Sequence, residues 1–227
     1  MSLLDNFSNN SYSNGKFLAR GIIALLLLLL ASCESQPNAE PLTVIGIVAK
    51  SSGYPEVTRK NRTYILAAQS RIYAEDILRT DKDSRLILNM RDDSTFALGP
   101  NSHFVLHRYD IDASLSAPVA QMSLTSGSVR TKTARIMSAT RPRFEIRTPL
   151  AVIGVRGTDF WSGYLFGNNT LDVAMVSGKG VYVQNQHGSV ELTMDGWGTT
   201  VIGDSAPQPP KVWPSQKINR ALGETTL

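Results

Sequence analysis

Short stretches in which hydrophobic and polar residues alternate recur along this chain from residue 42 onward. In the clearest one, Phe144, Ile146 and Thr148 fall on one side of an extended backbone, and Glu145 and Arg147 fall on the other. This two-residue period is typical of a half-buried β-strand. Similar patterns predict strands over 42–48, 63–66, 75–80, 84–91, 95–98, 103–107, 152–155, 171–175, 178–183, 190–194 and 196–202. The chain is therefore predicted to be all-β.

Turn residues separate these stretches at short intervals. Asp92-Asp93-Ser94 lies between two predicted strands and indicates a hairpin. A faint repeat relates 124–129 to 175–181. Many short strands with a weak repeat fit a solenoid or roll of stacked turns, and a two-sheet β-sandwich would give nearly the same pattern. The residues alone leave both arrangements open.

The N-terminal region has a different composition. Lys16 and Arg20 precede an apolar run, 22–31, that is only half of the roughly 20 residues a membrane-spanning helix requires. A basic segment before a short apolar run is typical of a signal peptide, predicted here over 1–32. The run ends in Leu30-Ala31-Ser32-Cys33, which resembles the bacterial lipobox. That resemblance implies that Cys33 becomes a lipid-bearing N-terminus, and Glu34 after it favours the outer membrane.

The remaining chain divides by composition into three parts. Residues 33–41 are polar and contain proline, as expected of a tether, and 42–204 is the length of a single β domain. Residues 205–227 are predicted to form a proline-rich extended tail with a short helix near its end. Because Cys33 is the only cysteine, no intramolecular disulfide is possible.

Candidate chemistry is sparse. His103 and His107 lie in a predicted strand without a third ligand nearby, so two surface histidines are expected and no metal or cofactor. The adjacent acids Asp92 and Asp93 are expected to serve their turn. Lys and Arg exceed Asp and Glu only by 23 to 19, spread along the chain, which argues against nucleic-acid binding. The sequence therefore predicts a protein that is not an enzyme.

One stretch, 141–160, combines strand patterning with two charges inside apolar sequence. Arg156 and Asp159 are expected to be paired, either with each other or, for Arg156, with the backbone. The order of residues here resembles the signature of the FecR domain family, a group of β-rich periplasmic domains. The residues that carry the resemblance include Phe144, Ile146, Thr148, Pro149, Ala151, Gly154, Val155, Arg156, Gly157, Thr158 and Phe160. Earlier segments, 76–80, 84–88, 93–99 and 124–129, also resemble the family, so the likeness spans roughly 72–183.

The resemblance implies a solenoid- or roll-like fold, a structural role for the signature residues, and a role in protein interaction and envelope signalling. The partner is expected to be an unidentified envelope protein, and Trp161, Tyr164 and Trp213 are candidate contacts. Control of a sigma factor is not implied, since only about twenty residues precede the apolar run. Two alternatives remain, namely a polymer-binding or carbohydrate-active protein and a purely structural envelope lipoprotein.

Overall fold

A computed structural model describes residues 43–111 and 117–226. The predicted signal peptide, Cys33 and the tether lie outside the described residues. Within these two ranges, a short 3-10 helix spans Arg135–Ser138 and one α-helix, α1, spans Ser215–Glu224. The strands are β1 (Val44–Ser52), β2 (Glu56–Arg59), β3 (Arg62–Ile65), β4 (Arg71–Tyr73), β5 (Ile77–Arg79), β6 (Arg85–Met90), β7 (Thr95–Leu98), β8 (His103–Asp110), β9 (Val119–Ser126), β10 (Ser128–Lys132), β11 (Arg143–Arg147), β12 (Val152–Val155), β13 (Thr158–Gly163), β14 (Thr170–Gly178), β15 (Val181–Asn185), β16 (Gly188–Leu192), β17 (Trp197–Ile202) and β18 (Lys211–Val212).

Within the described residues, the strands form two nine-stranded sheets. Sheet A has the order β18-β17-β14-β13-β10-β7-β6-β1-β4, and sheet B has the order β16-β15-β12-β11-β9-β8-β5-β2-β3. The all-β prediction is confirmed, in a sandwich-like form. From β5 onward the chain passes back and forth between the sheets, and each sheet adds its strands in chain order. Strands that are close in sequence are therefore close in space, as in the stacked turns that the sequence pattern suggested.

The core lies between the inner faces of the two sheets. Alternation along β6 buries Leu86, Leu88 and Met90 and turns Ile87 to the other face, as the sequence predicts. Four aromatic rings bridge the sheets at the centre. Phe96 of sheet A stacks on Phe144 with ring centroids 6.0 Å apart, and it also contacts Phe104 and Tyr109 of sheet B. Burial of these large rings is a major source of the fold's stability.

The predicted hairpin at 92–94 is present, with β6 and β7 paired antiparallel. Asp93 has a φ of +67°, a left-handed conformation that Asp and Asn adopt more readily than most residues. Ser94 is buried, and its hydroxyl donates to Asp92 and accepts the Ala134 N–H. Asp93 therefore occupies the left-handed position of this turn.

The C-terminal segment, residues 205–226, runs along sheet A. Its two-residue strand β18 pairs with β17, and Trp213 and the following helix α1 lie against the outer face of the sheet. No helix among the described residues is long and apolar enough to cross a membrane.

Candidate functional site

The first half of the signature builds the turn between β11 and β12. The Thr148 hydroxyl donates to the Ala151 carbonyl at 2.8 Å and accepts the N–H groups of Leu150 and Ala151. These bonds close the turn that Pro149 opens, since proline cannot continue the hydrogen-bonded ladder of a strand. The contacts of Thr148 are therefore internal to the fold.

The second half of the signature carries the chain from sheet B to sheet A. Gly157, with a φ of +76°, lies between the end of β12 and the start of β13. Next to it, the Thr158 hydroxyl donates to the Gly180 carbonyl at 2.8 Å and accepts the Gly180 N–H at 3.2 Å. Phe160 then enters the core between the sheets. Glycine suits the positive φ, and the threonine hydroxyl pairs with the Gly180 N–H and adds a second donor to the Gly180 carbonyl, which also accepts from the Arg156 N–H.

The charges of the signature do not pair as predicted. Arg156 lies over the ring of Tyr182, 4.5 Å from its centroid, with Glu191 at 3.6 Å, whereas Asp159 accepts two hydrogen bonds from Arg130. The expected Arg156–Asp159 pair is wrong, because the turn at Gly157 places the two residues at the ends of strands in different sheets. Exposed Arg156 contributes little to stability through such a screened ion pair.

Two of the three predicted partner contacts are buried. Trp161 is 0% exposed and Trp213 is 3% exposed, and their rings meet edge to face with centroids 6.5 Å apart. The prediction that they touch a partner is corrected for this arrangement, because the C-terminal segment covers the outer face on which Trp161 lies. Tyr164 is half-buried, and burial raises the pKa of its hydroxyl.

The acids and histidines considered for catalysis each contact different partners and do not form one cluster among the described residues. Asp92 is buried and accepts hydrogen bonds from Tyr109 at 2.8 Å and Ser94 at 2.7 Å, while Asp93 faces solvent and pairs with Arg135. His107 contacts the Ser123 hydroxyl on the outer face of sheet B. Within residues 43–111 and 117–226, no three His, Cys, Asp or Glu side chains are grouped as metal ligands.

The surroundings of His103 lower the pKa of its imidazole. Partial burial, and then the positive charge of Arg79, lower its pKa below the ordinary value of 6.5. The folded protein thus favours neutral His103, so this residue's contribution to stability falls as pH drops below 6.5. We expect Arg79→Gln to raise the pKa of His103 without restoring the ordinary value, since burial persists. An NMR titration of the imidazole measures it, with Arg143→Gln as a control expected to leave the pKa unchanged.

The structure adds an exposed apolar edge that the sequence did not reveal. Strand β3 ends sheet B, and the side chains of Tyr64 and Ile65 are 48% and 63% exposed, with Tyr54 nearby in the chain at 74%. We call these three residues the β3 edge. Tyr64 lies opposite buried Val57, so its pattern is that of a core residue. It is exposed because none of the described strands lies beyond β3, and periodicity alone could not supply this fact of topology.

Exposed basic residues flank the β3 edge, and an ion pair connects the neighbouring strand β2 to sheet A. Lys60 and Arg62 are exposed beside the β3 edge. Arg59 forms two hydrogen bonds of 2.6 Å to the carboxylate of buried Asp76 and lies 4.1 Å from the centroid of the Tyr73 ring. The pair links β2 of sheet B to the turn after β4 of sheet A. Charges on an edge strand discourage self-association, while the unpaired backbone still allows an extended partner segment to add.

The FecR protein family model matches residues 76–191, more than half of the chain. This chain belongs to the FecR protein family. Members of this family are typically non-enzymatic proteins of envelope signalling. The match begins at Asp76, the buried partner of Arg59, and includes the whole signature from Phe144 to Phe160.

Among solved structures, the FecR-family chain resembles a candidate anti-sigma factor from Parabacteroides distasonis ATCC 8503, seen in crystals at 1.65 Å and 2.50 Å resolution. In both, the TM-score is 0.50 at 16% sequence identity, over 64% of this chain and 64% or 63% of the solved chain. At that identity the likeness establishes the fold alone, and this chain spans just under two thirds of the solved one. No curated protein matches the sequence significantly.

Proposed function

We propose that this chain is a lipid-anchored FecR-domain protein that acts in envelope regulation by binding another protein, without catalysis. The observation that carries the proposal is the β3 edge, where aromatic and aliphatic side chains are exposed beside the outer edge of the last strand of sheet B. Exposed tyrosines supply large contact area at low entropic cost and are enriched at protein interfaces. The anti-sigma description of the structural relative is consistent with a regulatory protein interaction.

The chemistry of the β3 edge defines the segment it would bind. An extended partner strand adds to β3 through main-chain hydrogen bonds, its apolar residues contact Tyr64 and Ile65, and acidic residues face Lys60 and Arg62. The partner is thus an envelope protein with an exposed acidic and apolar segment. Nucleic acid is not part of this proposal, because the basic residues here are few.

The organisation of the chain fits this role. In the proposal, residues 1–32 are a signal peptide, Cys33 carries the lipid, and 33–41 tether the domain of 42–204 to the periplasmic face of the outer membrane. Several acyl chains contribute about 0.8 kcal/mol per buried CH₂, so two or more hold a protein stably at a membrane. Residues 205–227 form the tail.

Affinity capture from cells tests the interaction. We expect Ile65→Asp to reduce recovery of a discrete envelope protein about tenfold or more, since a buried unpaired charge opposes the apolar contact. Ile202→Asp is the matched control, because Ile202 is also an exposed strand isoleucine, at 47%, on sheet A. Equal recovery with both variants would contradict the proposed surface.

Cys33→Ala tests the anchor in the same experiment. We expect it to move the protein from the membrane fraction to the soluble periplasmic fraction and to lower partner recovery. Membrane association that survives Cys33→Ala would reject the anchor without affecting the proposed surface. If no protein is captured and the purified chain retains a glycan, the polymer-binding alternative replaces protein binding.

A further inference from the structure

The outer face of sheet A carries a second, separate surface that the proposed function does not use. Consecutive residues of a strand point to opposite faces, so Trp161 lies outside while Phe160 lies in the main core. Trp161 forms a cluster with Leu165 and Ala174, and residues of the C-terminal segment complete it: Trp213, Ile218, Ala221 and Leu222. The apolar contacts that cover this face therefore come from the chain's own tail.

The floor of this face is shaped for the segment. A Cβ atom at Gly198 would stand 2.3 Å from the Trp213 ring, and one at Gly99 would stand 3.1 Å from the Glu224 carbonyl oxygen. Small residues at these positions let the ring and the end of α1 approach the sheet backbone closely. We call this floor, with Trp161 and Asp172, the sheet A groove.

The groove also holds a specific charge. Asp172 is fully buried, and its Oδ1 accepts hydrogen bonds from Lys217 and Thr200, both at 2.6 Å. Its Oδ2 has no hydrogen-bond partner among the described residues. A buried carboxylate needs a cation, and Lys217 of the segment supplies it. An apolar helix without a cation would leave Asp172 buried and uncompensated.

The helix in the groove has little stability of its own. Pro214 stands at the N-cap without a side-chain hydrogen bond, the first turn carries no acid, and Gly223 lies inside the helix. Lys217 near the start and Glu224 at the end oppose the helix dipole. A ten-residue helix of this kind is marginal in water, so α1 forms because the groove binds it.

We propose that the sheet A groove is a docking site for an amphipathic helix, and that the C-terminal segment occupies it reversibly, in competition with a partner helix. The partner helix matches the resident one: an aromatic residue ahead of it to meet Trp161, a Lys or Arg within the first turn to pair with Asp172, and apolar residues three or four positions apart. Opening of the segment exposes this surface, independently of the β3 edge.

Exchange of the segment is measurable on the purified full chain. A fluorescent peptide of residues 205–227 serves as the probe, with anisotropy as the readout. We expect Lys217→Met in the chain to strengthen apparent peptide binding about tenfold or more, because the resident segment loses its hold on Asp172. The same substitution in the peptide should weaken binding to a similar extent. Lys211→Met is the control, since Lys211 lies exposed in the same segment.

Several results would overturn the proposal. The first is that the peptide binds no variant at concentrations up to about 1 mM. The second is that Lys217→Met and Lys211→Met change peptide affinity equally. The third is a dimer formed by exchanged tails, because a second copy of the chain would then be the occupant. Should Lys217→Met lose its near-UV circular dichroism, Arg220→Ala replaces it, since Arg220 donates to the Leu165 carbonyl at 2.9 Å and likewise holds α1. Purified protein suffices, so failure here leaves partner capture at the β3 edge unaffected.

Discussion

Phe96→Ala should lower the free energy of unfolding by about 3–5 kcal/mol, the usual cost of deleting a buried aromatic ring. Phe96 is fully buried, and its ring contacts Phe104 at 5.7 Å, Phe144 at 6.0 Å and Tyr109 at 6.2 Å. It belongs to sheet A and the other three belong to sheet B. The cavity would therefore open where the two sheets meet, which leaves little scope for collapse.

Guanidinium-induced unfolding, followed by tryptophan fluorescence and circular dichroism, measures this loss. Met194→Ala is the control, because Met194 is 55% exposed and should change stability by no more than about 0.5 kcal/mol. Similar losses for the two variants would be incompatible with an aromatic centre between the sheets.

Arg59→Met should cost about 3 kcal/mol by leaving the carboxylate of Asp76 buried without its cation. The side chain of Asp76 is 0% exposed and that of Arg59 is 21% exposed, so the pair is shielded far better than the surface ion pairs. The Tyr73 N–H also donates to Asp76, at 2.9 Å. Because the pair supports β2 and β3, the variant should weaken partner capture at the β3 edge as well.

A double-mutant cycle separates the pair from its surroundings. The variant carrying both Arg59→Met and Asp76→Leu should be more stable than Arg59→Met alone, since no unpaired charge then remains buried. The exposed pair between Arg143 and Glu145 provides the comparison, and breaking it should cost far less than breaking the buried pair, because solvent screens it. Additive effects at Arg59 and Asp76 would contradict the coupling.

Much of the fold follows from local patterns. Strand β7 spans 95–98 and β12 spans 152–155 as predicted, because alternation and turn residues act over a few positions. The three-residue strand β4 has too few positions for periodicity to register. The pattern was also compatible with both a solenoid or roll and a two-sheet sandwich. Contacts between distant residues decide which sheet each hairpin joins, and the local pattern does not contain them.

The candidate surfaces were harder to predict for a related reason. Trp161 alternates like an exposed residue of a half-buried strand, yet Trp213, 52 positions later in the chain, covers it. Tyr64 shows the reverse, because the sequence pattern places it among core residues and the structure exposes its ring at a sheet edge. Arg156 and Asp159 are close in sequence, but Arg156 follows β12 of sheet B and Asp159 lies in β13 of sheet A. In each case exposure or pairing is decided by tertiary contacts, which local periodicity does not encode.

The most direct test of protein binding at the β3 edge is site-specific photo-crosslinking in living cells. A photoreactive phenylalanine analogue replaces Tyr64 in one strain and Ile202 in another, with the rest of the chain unchanged. Binding at the β3 edge predicts one discrete crosslinked envelope protein from position 64 and none from position 202. Absence of a protein crosslink at position 64, or the same product from both positions, would contradict it.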